Sequence, residues 1–261
     1  MAFPTLGAVL TSLVLIVVGL PLIYVLSRAF KLHPAPIAIP KPKKEVALVA
    51  IVIVALFLVV FGWEALANVY RLFYEDSRFV VGPFEILWRA SLDGVSLFVI
   101  VIAMKSTGQK LGSIGIVRNN VGRMLALGLV LSAVFAAVMI FVAGGVAGLS
   151  ATLAYGFILC IVVGFGEEIC WRGYVQTRLV AYVGNLKGLV IASLLFAVVW
   201  HFPLEFYLQS GVVLDALAYT LTRLAPGLLF GYLMLKSQNI LPSSIFHIFW
   251  NWSILLATGS L

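Results

Sequence analysis

Charge is scarce in this chain. Of its 261 residues 10% are Asp, Glu, Lys or Arg, against about 25% in soluble domains. That shortage excludes an ordinary soluble enzyme and a charged, disordered chain. Cysteine is almost absent. Two residues, Cys160 and Cys170, imply no disulfide framework and leave the redox compartment unreadable. No basic residue precedes the first apolar run, which begins at Leu6. That run does not resemble a cleaved signal peptide and is expected to be a retained helix. There is no internal repeat of the kind transporters often carry, and no low-complexity segment.

Apolar residues fill the place of the missing ones, at 63% of the chain. A bilayer-spanning helix takes about 20 residues, so the apolar total is enough for about eight. The runs lie at about 5–26, 46–70, 90–104, 124–143, 150–182, 186–202, 216–235 and 240–258. The third is short and its start near Asp93 is the least defined, which leaves seven spans as the alternative. The expected fold is an all-α, polytopic transmembrane helix bundle forming one integral membrane domain. Residues 1–140 supply N-terminal helices and basic loops, and 141–261 form a second part, a helix core.

The net charge of +7 does not indicate nucleic acid. The basic residues sit in short connections between apolar runs, where membrane orientation explains them. Arg28, Lys31, Lys41, Lys43 and Lys44 follow run one; Lys105, Lys110, Arg118 and Arg123 follow run three. Arg178 and Lys187 flank the turn after run five, and Lys236 that after run seven. The odd connections are therefore expected on the cytoplasmic side.

An ionisable residue at bilayer depth is costly and needs a reason. Three late runs carry several: Glu167, Glu168 and Arg172 in run five, His201 in run six, and His247 with Asn251 in run eight. Glu167 and His201 lie 17 residues on either side of Gly184, so an antiparallel hairpin places them at one depth. His247 and Asn251, at i and i+4, share a helix face about 12–18 Å from the turn after run seven. A buried site nearer the cytoplasmic face is expected. Glu168 and Arg172 form a favourable acid-first i,i+4 pair. Glu167 points about 100° away and is left unpaired for general-base work. Two histidines and an amide add groups that can position water and donate to a developing oxyanion. Cys170 is set aside as a nucleophile, because its thiolate would form beside two carboxylates.

Glu167, Glu168 and Arg172 resemble the EExxxR motif of the CPBP intramembrane proteases. That family includes the Rce1-type CAAX prenyl endopeptidases and the bacteriocin-processing or immunity (Abi) proteins. Trp200, His201 and Pro203 resemble its second motif, and His247 with Asn251 its third, HxxxN. Gly231, Tyr232 and the stretch from Asn239 to Ser243 are also similar. The resemblance covers about 165–255. It departs at one point: the second motif usually reads FxxxH, and here Phe196 precedes His201 by five, so a different packing partner for His201 is expected.

The resemblance implies an endopeptidase that cuts a membrane-associated or lipidated protein or peptide. Glu167 would activate water with help from His201, His247 and Asn251 would stabilise the oxyanion, and Glu168 and Arg172 would order the site. No cofactor is favoured. Zinc held by Glu167, His201 and His247 remains an alternative, although no HExxH pattern is present. Arg223, in mid-run seven, could lie at an interface or bind a substrate carboxylate. A proton or ion transporter and a non-catalytic peptide-binding relative stay open as other functions. The expected pocket opens toward the cytoplasm.

Overall fold

The structure is a computed structural model that describes residues 6–32, 34–73, 83–146, 151–201 and 213–258. Thr5, Ser150, Phe202 and Pro203, used above to bound runs and motifs, lie outside the described residues. Each of the eight apolar runs is helical. Helices α1 (Leu6–Ala29), α2 (Pro42–Phe73), α3 (Pro83–Thr107) and α4 (Val121–Val142) come first. Then α5 (Ala151–Glu168) passes through a π-helical stretch, Ile169–Gln176, into α6 (Thr177–Val183). After it α7 (Asn185–Leu195) ends in a second π-helical stretch, Phe196–Trp200. Helices α8 (Val213–Ser237) and α9 (Ile240–Thr258) complete the set, and no strand occurs among the described residues.

Local chemistry sets the ends. Helices α2 and α3 begin at proline, whose missing N–H costs nothing in a first turn. Gly184 (φ 88°) separates α6 from α7, a backbone angle that side chains disfavour. Asn239 caps α9 by accepting the Leu241 N–H at 2.9 Å.

Run three is a span: Ile86–Thr107 is apolar enough and long enough to cross a membrane. Its helix starts before the expected Ala90 and takes in Arg89. Six helical stretches meet that standard among the described residues, and Asn185–Trp200 is a shorter apolar helix. Large apolar side chains face outward, among them Val17 (71% exposed), Ile51 (66%) and Phe141 (86%). Water would not tolerate that surface and lipid does. The chain is an integral membrane helix bundle.

Two apolar clusters flank the polar residues. One joins α2, α3 and the α5–α7 hairpin through Leu56, Ile100, Trp171 and Phe196. The other joins α1, α4, α8 and α9 through Ile23, Leu127, Phe230 and Trp250.

The four odd connections meet at one end of the bundle. Gln238 accepts the Ile37 N–H at 2.9 Å. Asn239 donates to Val117 O at 3.1 Å, and Arg178 to Ser113 O at 2.9 Å. Arg178 is not the surface charge that its place near a turn suggests. It is buried, 3.5 Å from the equally buried Glu45.

Candidate active site

The site is assembled where α3, α5, α7, α8 and α9 converge. Glu167 and Glu168 are adjacent at the end of α5 and both are buried. Glu168 Oε1 lies 3.2 Å from Arg172 Nη1 and 3.1 Å from His247 Nδ1. It therefore fixes a guanidinium of its own helix and an imidazole of α9 at once. His247 turns its other nitrogen, Nε2, toward Glu167 Oε2 at 3.8 Å. His201 Nε2 lies 4.0 Å from the same oxygen. The hairpin register thus brings Glu167 and His201 to one depth, and α9 brings His247 to meet them.

Glu167 is not left unpaired. Its Oε1 accepts a hydrogen bond from Arg89 Nη2 of α3. Arg89 Nε lies 3.6 Å from Asp93 one turn on. Helix α3 can come this close because position 166 is glycine. A Cβ there would stand 2.8 Å from Asp93 Cγ and 2.9 Å from Asp93 Cβ. Neither Arg89 nor Asp93 was read as a site residue from sequence. Arg89 falls in a stretch of mixed charge that reads as a loop. The signal that could have found it is its own i,i+4 pairing with Asp93 inside an apolar helix.

Aromatic rings hold the polar groups in place. Phe230 stacks on His247 at 4.5 Å, and Arg172 lies over Phe196 at 4.0 Å and over Phe230 at 5.5 Å. Phe196 also meets His201 edge-on at 4.7 Å. The expected change of packing partner for His201 is therefore overturned. Phe196–Trp200 is π-helical, with i to i+5 bonding, so the extra residue in the spacing is absorbed by one wide turn.

A cavity of about 330 Å³ lies against these residues, lined by Arg89, Glu167, His201, Arg223, His247 and Asn251 among others. Its remaining walls show where it runs. On α5 they are Leu159, Cys160 and Val163, which precede Glu167; on α9 they are Trp250, Asn251 and Ile254, which follow His247; Phe196 and Pro226 complete the lining. The cavity extends from Glu167 away from the lysine-rich end. The lysine side of the histidines is filled by Trp171, Phe196, Phe230 and Phe246, all buried. Arg223 lines the cavity, 5.0 Å over the Tyr219 ring.

Residues 148–253 match the family model described as type II CAAX prenyl endopeptidase Rce1-like. Over this segment the chain is similar to the Rce1-like family. That likeness indicates a peptide hydrolase of the CAAX-protease type, and the apolar helices a protein built into a membrane. No curated protein and no solved structure matches it. Glu167, Glu168, Arg172, His201, His247, Asn251 and Arg223 of this Rce1-like chain all lie within the matched segment. Arg89 and Asp93, in α3, lie outside it. Among the described residues no group of three or more His, Cys, Asp or Glu is arranged to hold a metal ion.

Proposed function

We propose that this Rce1-like enzyme hydrolyses a peptide bond by glutamate-activated water. The observation that carries the reading is the convergence of His201 Nε2 and His247 Nε2 on Glu167 Oε2, at 4.0 and 3.8 Å. Arg89 occupies the other carboxylate oxygen, so Oε2 is the oxygen turned to the cavity chemistry. A water held between Oε2 and His201 gives its proton to Glu167 as it attacks the carbonyl carbon. His247 and Asn251, one turn apart on α9, donate to the carbonyl oxygen as it becomes an oxyanion. The amide nitrogen then leaves with the proton Glu167 took up.

Glu168 has a separate task. Its carboxylate accepts from His247 Nδ1–H and sets the imidazole's orientation; the imidazolium form keeps a second N–H, at Nε2, to donate to the oxyanion, and Arg172 balances the charge of Glu168. Arg223, on the opposite wall, binds a carboxylate of the substrate, so a cut close to a substrate's C-terminus fits the cavity. The zinc version of this hydrolysis would place a second cation beside Glu167, whose carboxylate already holds the Arg89 guanidinium. That repulsion favours the metal-free reading.

The test compares the N- and C-termini of membrane proteins by mass spectrometry in two cultures. One expresses the chain and the other its Glu167→Gln variant at equal level. New termini found only with the unaltered chain support the reading and name the substrate. Identical termini across a well-covered membrane proteome count against it and favour the peptide-binding or transport functions.

A further inference from the structure

We propose that a second cavity, between the start of α2 and the end of α3, binds the phosphate of an anionic phospholipid head group. This cavity shares no lining residue with the catalytic one and measures about 420 Å³. Lys41 and Lys44 line it from the start of α2, and Lys110 lines it from the connection after α3. All three lysines are exposed. Like charges around one hollow repel each other, and an anion seated between them turns that repulsion into attraction. Ammonium groups on flexible stems are donors that a phosphate accepts from as point charges.

One acid, Glu45, also lines the cavity, and it does not cancel these charges. Its buried carboxylate has partners of its own: Arg178 Nε at 3.5 Å and the side-chain amide of Gln109 at 3.2 Å. Arg178 is fully buried in α6. It donates to both the carbonyl and the hydroxyl oxygen of Ser113, each at 2.9 Å. Glu45 and Arg178 therefore neutralise each other inside the wall, and the lysines leave the hollow net positive. The same buried pair ties the start of α2 to α6 and to the short turn Leu111–Ile114 after α3. The wall is thus built and held without a ligand, as a pre-organised site requires.

The place of the cavity along the helices points to a lipid as the occupant. The apolar span of α2 begins at Pro42 and that of α3 ends at Thr107. Lys41, Thr107 and Gly108, at those two limits, line the cavity. It therefore lies at the level where hydrocarbon gives way to head groups. Deeper along the same two helices Ile51, Val54, Phe98 and Ile102 are exposed, an apolar surface on which acyl chains can lie. This is the lysine-rich end, expected on the cytoplasmic side, and basic pockets between helices on that side suit anionic head groups. A head group seated there would hold α2 against α3, the helix that carries Arg89.

The site does not depend on the peptidase reading, and its test needs no substrate. The purified full chain in an uncharged detergent is melted with phosphatidylglycerol, with phosphatidylcholine of the same acyl chains, or with inorganic phosphate. Phosphatidylglycerol should raise the melting temperature saturably. Phosphatidylcholine, whose choline balances its phosphate, should not. Lys41→Gln combined with Lys110→Gln should raise the half-saturating concentration of phosphatidylglycerol about 25-fold, about fivefold for each lysine. Lys31→Gln combined with Lys187→Gln removes two exposed charges of the odd connections that do not line the cavity, and should leave that concentration unchanged. Equal losses in the two double variants would reduce the effect to attraction by a basic surface and overturn the site. Equal shifts by the two lipids, or no shift, would overturn it as well. Inorganic phosphate giving the full shift, with phosphatidylglycerol adding nothing, would overturn the lipid as occupant and assign the hollow to a free anion. If the Lys41 and Lys110 double variant does not accumulate, Lys44→Gln alone should weaken the lipid about fivefold, and an unchanged half-saturation would refute the proposal.

Discussion

Arg89 of α3 is hydrogen-bonded to the carboxylate of Glu167 of α5, 78 residues further along the chain. The bond fixes one oxygen of the proposed base and leaves the other to face two imidazoles. Arg89→Gln should lower kcat by about 10²-fold, the order expected when a reacting group is displaced by about 1 Å, with little change in KM. Arg89→Lys should recover part of the loss. Steady-state kinetics on one cleavable peptide in detergent measures both. A change confined to KM would show that Arg89 binds substrate instead.

The two neighbouring glutamates should fail differently. Glu167→Gln removes the proposed base, and activity should fall at least about 10²-fold with the fold intact. Glu168→Gln leaves Arg172, 2% exposed, without its carboxylate partner. Breaking a buried pair on one side costs about 3–5 kcal/mol, so this variant should melt earlier as well as lose activity. Thermal melts of the two purified variants check the contrast.

Gly166→Ala should damage the site without touching a polar group. The added methyl would stand 2.8 Å from Asp93 Cγ and force α3 away from α5. Overpacking of this kind costs about 1–3 kcal/mol, and it would also draw Arg89 off Glu167. The expected result is a lower melting temperature together with a lower kcat. Unchanged values of both would show that α3 can shift freely.

Deleting Val198, an exposed residue of the second π-helical stretch, restores the four-residue spacing of Phe196 and His201. An α-helical turn then serves in place of the wide one, and the ring contact is kept. This variant should retain most of the activity, whereas Phe196→Ala should lose it through His201 and Arg172 together. Activity of the two, side by side, decides whether the ring contact or the wide turn is what matters.

Metal removal gives a last check. Prolonged treatment with a chelator should leave turnover unchanged. Loss of activity restored by zinc would replace the metal-free mechanism with one in which Glu167, His201 and His247 hold the ion.

Much was legible in the sequence because it depends on local quantities. Hydropathy over about 20 residues gave the spans, since bilayer thickness fixes helix length. Equal rise per residue placed Glu167 level with His201 across Gly184, and the i,i+4 rule paired Glu168 with Arg172. The asymmetry of lysines follows from charge retention, which needs no contact at all.

Tertiary structure decided the rest. Only the docking of α3, permitted by the missing side chain at 166, brings Arg89 to Glu167. Only the π-helical register of Phe196–Trp200 keeps Phe196 against His201 despite the irregular spacing. The direction of the cavity depends on which side of His247 the aromatic rings fill. Helix periodicity states which residues share a face, but not which neighbour that face meets or where space is left over. Those are properties of packing between segments far apart in the chain, and no local pattern records them.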